Sequence, residues 1–184
     1  MYNFKNIIIG NRITLKKISP SEKLAATLFE VATRNREDIL SWMSFKEEEI
    51  IPKDKNDALR ILQDIENWIK DEIAIYYGIF IDGNFIGMVM AGLDKSRKEA
   101  ETGAWLDKLE RGKGYAKEAR LLLDEELFSN GIIKLISYVD VENISSKNMI
   151  LSLGYENGGI IKNNSYQKFK KEYRDEFMFF KIKQ

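Results

Sequence analysis

The residues with the clearest chemical signature form a basic, glycine-rich turn, Arg111-Gly112-Lys113-Gly114, between a predicted strand and a predicted helix. Glycine has no Cβ, so the main chain of such a turn can approach a ligand closely and adopt dihedral angles that other residues avoid. The N–H groups that open the following helix have no partner inside it and attract anions. The turn therefore predicts a binding site for a diphosphate.

Two nucleotide-binding motifs with glycines fit this turn less well. A dinucleotide-binding fingerprint needs a third glycine where Lys117 stands, and an acidic residue about 20 positions further on. A phosphate-binding P-loop needs Lys and then Ser or Thr after its last glycine, whereas Tyr115 follows Gly114. A third interpretation stays open on these residues alone, namely that the glycines only form a turn from strand to helix.

The composition narrows the chemistry that the rest of the chain can support. A chain of 184 residues is expected to form a single domain, 1–184, and its 29 basic and 29 acidic residues give no net charge. A neutral balance argues against direct binding to nucleic acid. The absence of cysteine and histidine excludes a disulfide framework, a thiolate nucleophile, a Ser-His-Asp triad and the usual zinc ligands, so no metal is expected.

Hydrophobic periodicity predicts the elements that position the turn. Strands are predicted at 12–18, 76–81, 85–93, 99–106, 132–139 and 177–182, and helices at 36–42, 54–70 and 145–152. Two further helices are predicted, one that starts within 19–22 and includes Leu24, Leu28 and Val31, and one that includes 116–127 and ends near 130–131. The pair Asp82-Gly83 marks a hairpin between the second and third of these strands. The expected fold is of the α/β (α+β) class, with a mixed, mostly antiparallel central sheet and helices on both faces.

The wider segment around the turn resembles a known enzyme family. GAWLDKLERGKGYAKEA, followed by VDVENISS and LGY, is similar to the GNAT superfamily of acetyl-CoA-dependent N-acetyltransferases. The resemblance implies that the turn binds the pyrophosphate of coenzyme A and that the preceding strand lines its pantetheine arm. The implied coenzyme-binding residues are Trp105, Leu106, Asp107, Arg111, Gly112, Lys113, Gly114, Tyr115, Ala116, Asn143 and Ser146. The family pattern often has Gln or Arg where this chain has Leu109.

Within that superfamily the chain is most similar to the RimJ/RimL-like ribosomal-protein N-acetyltransferases. The similarity lies in RNREDILSWM at 34–43, ETGAWL at 101–106 and GKGYA at 112–116. It implies transfer of an acetyl group to a primary amine by direct attack in a ternary complex. The amine would be the N-terminal α-amine of a protein, such as a ribosomal protein, or a small amine. The alternative function is a catalytically silent protein that binds acetyl-CoA as a sensor or interaction module.

The resemblance supplies a candidate proton donor, and the strands before and after the turn supply candidate bases. Ser146 is implied as the proton donor to the leaving thiolate, although Ser145 or Ser146 could instead cap the following helix. Glu101 and Asp140 are the candidate bases that take the proton of the amine, because burial can raise the pKa of a carboxyl group toward the working range. Glu101 could also be an ordinary charge at the end of a sheet, and a water molecule with no dedicated base stays open.

The remaining expectations concern the acceptor and the location of the protein. Trp42, Phe45 and Trp68 lie in or after the early helices, which flank the acceptor groove in this family, and the acidic run 47–49 could attract a cationic acceptor. The apolar run near the N-terminus is too short to cross a membrane. A cytoplasmic location with no membrane partner is therefore expected, and a homodimer through exposed strands stays open.

Overall fold

The structure, a computed structural model, describes residues 2–43 and 50–183. Phe45 and the acidic run 47–49 lie outside these residues. The described chain forms eight strands, β1 (Ile7–Ile9), β2 (Thr14–Lys17), β3 (Ala74–Ile81), β4 (Asn84–Asp94), β5 (Glu99–Leu106), β6 (Lys134–Asp140), β7 (Glu156–Gln167) and β8 (Glu172–Ile182). It also forms five α-helices, α1 (Glu22–Arg34), α2 (Arg36–Trp42), α3 (Lys55–Lys70), α4 (Tyr115–Ser129) and α5 (Ile144–Ser152).

The strands make one sheet in the order β1-β2-β3-β4-β5-β6-β8-β7. Every neighbouring pair is antiparallel except β5 and β6, which are parallel. The connection between these two strands runs through α4, as a parallel pair requires. The mixed, mostly antiparallel sheet predicted from the sequence is confirmed.

Local signals set several element boundaries. The side chains of Ser21 and Asp54 accept hydrogen bonds from the first turns of α1 and α3, which fixes where those helices begin. Asp82 and Gly83 both have positive φ angles, 48° and 82°, which is the conformation of the tight hairpin turn that joins β3 and β4. The caps and this turn place the helices and the hairpin close to their predicted positions.

Helices cover both faces of the sheet, and each face has its own apolar core. One core lies under α1, α2 and α3 and includes Leu28, Leu62, Met90 and Trp105. The other lies under α4 and α5 and includes Leu123, Leu127, Leu135 and Phe179. Successive residues of a strand point to opposite faces, so β5 contributes Trp105 to the first core and Leu106 to the second.

The sheet opens between its two parallel strands. Pairing between β5 and β6 covers three residues and stops at Glu101, which lies opposite Ile136. At this apex the Thr102 hydroxyl donates to the Ile136 carbonyl at 3.0 Å, and the Ser137 hydroxyl donates to the Thr102 carbonyl at 3.2 Å. Beyond it both strands continue without pairing to each other. The two strands therefore border a wedge whose wide end faces the glycine turn.

The described structure differs from the sequence-based expectation at the two ends of the sheet. β1 and β7 were not given positions by the sequence, and β8 begins at Glu172, five residues before the predicted start of the last strand. None of the described helices has the length and apolarity needed to cross a bilayer.

Candidate active site

The glycine turn presents a row of main-chain N–H groups to solvent. Gly112 and Gly114 have φ angles of 75° and 82°, in the left-handed region that favours glycine. From Arg111 to Lys117, no N–H group finds an acceptor anywhere in the described chain, and the first helical bond is Glu118 N–H to the Gly114 carbonyl at 3.1 Å. The geometry of the turn would let main-chain donors surround an anion at a helix N-terminus.

Arg12 supports the turn from behind. Its Nη1 donates to the Lys113 carbonyl at 2.8 Å, and its Nε donates to Glu118 Oε2 at 2.9 Å. Its guanidinium carbon also lies 5.0 Å from the centre of the Tyr115 ring. These contacts hold a carbonyl of the turn away from the open side, which leaves that side to the N–H groups.

The basic side chains of the turn are occupied by weak surface pairs. Arg111 lies 3.2 Å from Asp38, and Lys113 lies 2.9 Å from Glu110. Exposed ion pairs of this kind contribute little to stability, typically below about 1 kcal/mol. Either side chain can therefore turn toward a bound phosphate.

The strand before the turn offers its main chain rather than its side chains. Trp105, Leu106 and Asp107 are all buried. The Asp107 carboxylate is held by the Arg34 guanidinium, with Nε at 3.0 Å, and by Asn35 Nδ2 at 3.0 Å. A pantetheine arm that runs along this segment would therefore contact main-chain groups at the unpaired edge of the strand. The Asp107 side chain instead anchors α1 to the end of β5.

This anchor predicts a pH-dependent stability effect. Desolvation alone would raise the pKa of Asp107, but hydrogen bonds from Arg34, Asn35 and the Leu109 N–H outweigh it, and the pKa is lowered. A carboxyl group with a lowered pKa stabilises the folded state above its unfolded pKa, and this contribution is lost as the pH falls through the folded pKa. Asp107→Asn is expected to cost about 1–3 kcal/mol at neutral pH in urea unfolding. The difference from the unsubstituted protein should shrink below about pH 4.

The exposed pair of Asp64 with Arg60 supplies the control for that measurement. Asp64→Asn is expected to change the free energy of unfolding by less than about 0.5 kcal/mol. An equal loss for both substitutions, or a loss for Asp107→Asn that persists at low pH, would show that the anchor has been misinterpreted.

A cleft of ≈ 570 Å³ passes through the sheet at the wedge between β5 and β6. Its walls come from both faces of the sheet. On the side of α1 to α3 they include Tyr76, Met90, Glu101, Tyr138 and Glu176, and on the side of α4 and α5 they include Arg120, Asn143, Ser146 and Met149. Two molecules can therefore enter from opposite faces and meet at the wedge.

Three carboxylates line the cleft on the side of α1 to α3, namely Glu101, Asp140 and Glu176, and within the described residues only Asp140 is in an ion pair. Glu101 makes no hydrogen bond or ion pair within the described residues, whereas Glu176, 6% exposed, accepts from Asn164 at 2.6 Å and Ser165 at 3.0 Å. Although Glu101 opens to the cleft, desolvation by the surrounding walls raises its pKa, and the Glu176 carboxylate raises it further. Glu101 is itself exposed, and its unpaired carboxylate opens to the cleft, which is the position that a general base requires.

Asp140, the other candidate base, has a different environment. Its Oδ2 lies 2.9 Å from Arg174 Nη1 in an ion pair whose side chains are both 4% exposed, and its Oδ1 accepts from the Glu142 N–H at 2.8 Å. Arg174 Nη1 also donates to the Ser41 carbonyl at 2.7 Å. Both carboxylate oxygens of Asp140 are therefore already in contact with other groups, and these contacts favour a structural role between β6, β8 and α2.

The proton-donor candidate lies at the start of α5. Asn143, not Ser145 or Ser146, caps this helix, because its Oδ1 accepts from the Ser146 N–H at 3.1 Å. The capping alternative for the two serines is therefore wrong. The Ser146 hydroxyl makes no hydrogen bond inside the described part of the chain, and the residue lines the cleft.

Three residues of the site were missed by sequence reasoning: Arg12, Arg120 and Glu176. Arg12 stands about a hundred residues before the turn that it supports, and Glu176 lies in a strand whose start was predicted one residue too late to include it. Arg120 has the spacing of an ordinary helical residue, although it follows Ala116 by four positions and so shares a helix face with it.

The chain is similar to known acetyltransferases. A model of the acetyltransferase (GNAT) domain matches residues 12–156, and no curated protein sequence matches the chain. Among solved structures, RimL, the ribosomal L7/L12 α-N-protein acetyltransferase in complex with coenzyme A, has a TM-score of 0.85 at 18% identity over 96% of this chain and 97% of its own.

Two further structures have the same fold. The microcin C7 self-immunity acetyltransferase MccE in complex with acetyl-CoA and AMP has a TM-score of 0.83 at 20% identity, over 94% of this chain and 93% of its own. The ribosomal-protein-S5-alanine acetyltransferase from Vibrio fischeri has a TM-score of 0.83 at 17% identity, over 97% of each chain. At these identities the structural likeness establishes the fold.

Proposed function

The chain belongs to the GNAT acetyltransferase family, and we propose that it transfers the acetyl group of acetyl-CoA to a primary amine. The observation that carries this proposal is the row of free N–H groups from Arg111 to Lys117, which follows the end of β5 beyond its pairing with β6. These donors suit the diphosphate of coenzyme A. The unpaired edge of β5 suits the amide groups of an extended pantetheine arm, which can add to the strand as another strand would.

The location of the protein and its oligomeric state belong to the same proposal. A cytoplasmic protein that acts on a newly made protein or a small amine needs no membrane partner, and a homodimer is compatible with the exposed edge strand β7.

The reaction that this site supports is direct attack of the amine on the thioester. An α-amine has a pKa near about 8 and a lysine amine near about 10, so most of it is protonated at neutral pH and must lose a proton first. Glu101 takes that proton, the nitrogen bonds to the acetyl carbon, and the carbon–sulfur bond breaks with its electron pair on sulfur. The nitrogen, which is positive after the attack, then loses its second proton to solvent and becomes the amide nitrogen. Ser146 or solvent then protonates the thiolate. A chain without cysteine cannot carry the acetyl group on a thiol of its own.

The two faces of the cleft suit the two substrates. The α4 and α5 side adjoins the glycine turn and would take the coenzyme, and the opposite side carries Glu101 and Glu176, which favour a cationic acceptor. Much of the acceleration would then come from holding thioester and amine together in one ternary complex. Several structural neighbours act on ribosomal proteins, and so the α-amine of a protein N-terminus, or a small amine, is the acceptor that we propose.

Calorimetry with acetyl-CoA, followed by a screen of acceptors, tests the proposal. Binding is expected with a Kd between about 1 μM and 1 mM, the usual range for enzyme substrates. Peptides with free N-termini and small amines should release thiol, which a thiol reagent detects without background because the protein has none. Absence of acetyl-CoA binding would refute the proposal. Binding with no turnover across the panel would favour the silent sensor or interaction module instead.

A further inference from the structure

A buried cation lines the cleft beside the apex of the wedge. Arg120 is 2% exposed and forms part of the cleft wall on the α4 side. Its Nη2 donates to the Thr102 hydroxyl and to the Tyr155 hydroxyl at 3.2 Å. Its Nε is buried and has no hydrogen-bond partner. The guanidinium is thus held by neutral groups on one side and keeps unused donor capacity.

The charge around Arg120 is not balanced by the residues that contact it. In the hydrogen-bonded network of the described chain, Asp124 is the carboxylate that accepts from Tyr155 at 2.9 Å and from Lys181 at 3.1 Å. Burial raises the pKa of Tyr155 to about 12, so its hydroxyl stays neutral and donates. Asp124 is thus the one carboxylate in this network that is near both Arg120, which is buried, and Lys181, whose side chain is 23% exposed. An unbalanced buried charge is costly, which points to an anion that arrives from outside the chain.

The position of Arg120 along α4 shows which end of the wedge such an anion would occupy. Arg120 is six residues past Gly114, or about 9 Å along α4. Thr102 is four residues before Leu106, or about 13 Å back along β5. Since α4 runs back along the sheet from the turn, both residues lie at the far end of the wedge. An extended arm whose diphosphate sits on the turn points its thioester toward them.

We propose that the Arg120 guanidinium stabilises the thiolate of coenzyme A as it leaves the acetyl group. This inference rests on the proposed function. As the carbon–sulfur bond breaks, the electron pair moves to sulfur, and a fixed positive charge in a place with little water lowers the energy of that developing anion. Glu101 and Glu176 lie on the opposite face, where the attacking nitrogen becomes positive. The sheet thereby separates a negative amine side from a positive sulfur side.

The test is the protonation of coenzyme A itself in the binary complex. Because the chain has no cysteine, the S–H stretching band in a Raman spectrum of the complex belongs to coenzyme A alone. Loss of this band with rising pH gives the thiol pKa of the bound coenzyme, with no turnover needed. The proposal requires that the bound thiol has a lower pKa than free coenzyme A. An unchanged or higher value in the unsubstituted protein would overturn it without any variant.

Three variants assign the effect to Arg120. Arg120→Met removes the charge and keeps much of the volume, and it should raise the bound thiol pKa by about one unit, a tenfold change in ionisation. Arg120→Lys should keep most of the shift. Lys181→Met removes a cation from the same network but away from the cleft, and it should have a much smaller effect. If Lys181→Met matches Arg120→Met, or if Arg120→Met leaves the thiol pKa unchanged, the proposal is wrong.

Calorimetry and kinetics separate this inference from the proposed function. Each variant must bind coenzyme A in calorimetry, which also shows that it is folded. Failure of the unsubstituted protein to bind would contradict the proposed function, whereas binding without a thiol shift would contradict only the role of Arg120. With an acceptor in hand, Arg120→Met should lower kcat about tenfold with KM for acetyl-CoA little changed, and Arg120→Lys should recover most of the loss. A change in KM alone would count against the role.

Discussion

Replacing Gly114 with tryptophan is expected to abolish acetyl-CoA binding. At φ 82° the position already disfavours a side chain by about 1–2 kcal/mol, and a Cβ there would lie 3.3 Å from Arg12 Nη2. The indole would displace Arg12 from the back of the turn or block the approach of a diphosphate to the N–H groups. Calorimetry should show at least a ~100-fold loss of affinity, which corresponds to about 2.8 kcal/mol.

Gly83→Trp is the matched control for that substitution. Gly83 has the same φ of 82°, lies in the exposed turn between β3 and β4, and has open space where a Cβ would be. Both substitutions therefore place a side chain at the same unfavourable φ and differ in what surrounds that side chain. Gly83→Trp should bind acetyl-CoA normally. Normal binding by Gly114→Trp would mean that the diphosphate does not lie on this turn.

The parts of the site that the sequence predicts are those determined by neighbouring residues. The bounds of α2 and β5 agree with prediction, because each has a hydrophobic period that a short window contains. The turn follows from its own glycines and from the helix start that comes next. Such features need no knowledge of the rest of the fold.

The parts that the sequence does not predict depend on contacts between distant segments. Ser146 was a candidate cap by residue type, but only the geometry at Asn143 shows which side chain reaches the free N–H. β7 shows little alternation because it is an exposed edge strand with two irregular stretches in its pairing, and so it lacks the period that identifies a half-buried strand. The approach of Glu101 and Glu176, whose charges repel each other, depends on sheet order and register, which no local pattern contains.

Sheet order also explains why the site can hold opposite charges close together. Glu101 and Thr102 are adjacent in β5 and point to opposite faces. The first faces Glu176, and the second accepts from Arg120. In the mechanism that we propose, a single strand thus serves the amine on one face and the sulfur on the other. The separation of the two strands at this point lets the substrates meet through the sheet.

Glu101→Gln is expected to lower kcat by about 10²–10⁴, the usual contribution of a general base. The base must be ionised to act, so kcat/KM in the unsubstituted enzyme should fall as the pH falls through the raised pKa of Glu101. Desolvation and Glu176 place this acidic limb above the ordinary range of a glutamate. Glu176→Gln removes the negative charge near Glu101 and should move the acidic limb to lower pH. Glu101→Gln should abolish the acidic limb.

Glu99 supplies the control for the Glu101→Gln substitution, because it lies two residues earlier on the same face of β5. Glu99 is held by Lys134 at 3.1 Å and by Arg97, and it does not line the cleft, so Glu99→Gln should leave both the rate and the acidic limb in place. A pH profile of kcat/KM for the four proteins decides the assignment. If Glu101→Gln retains most of the rate with its limb unchanged, the proton passes to water without a dedicated base. None of these substitutions touches Asp140 or its ion pair with Arg174. If the acidic limb survives in Glu101→Gln and Asp140→Asn then removes it, Asp140 is the general base.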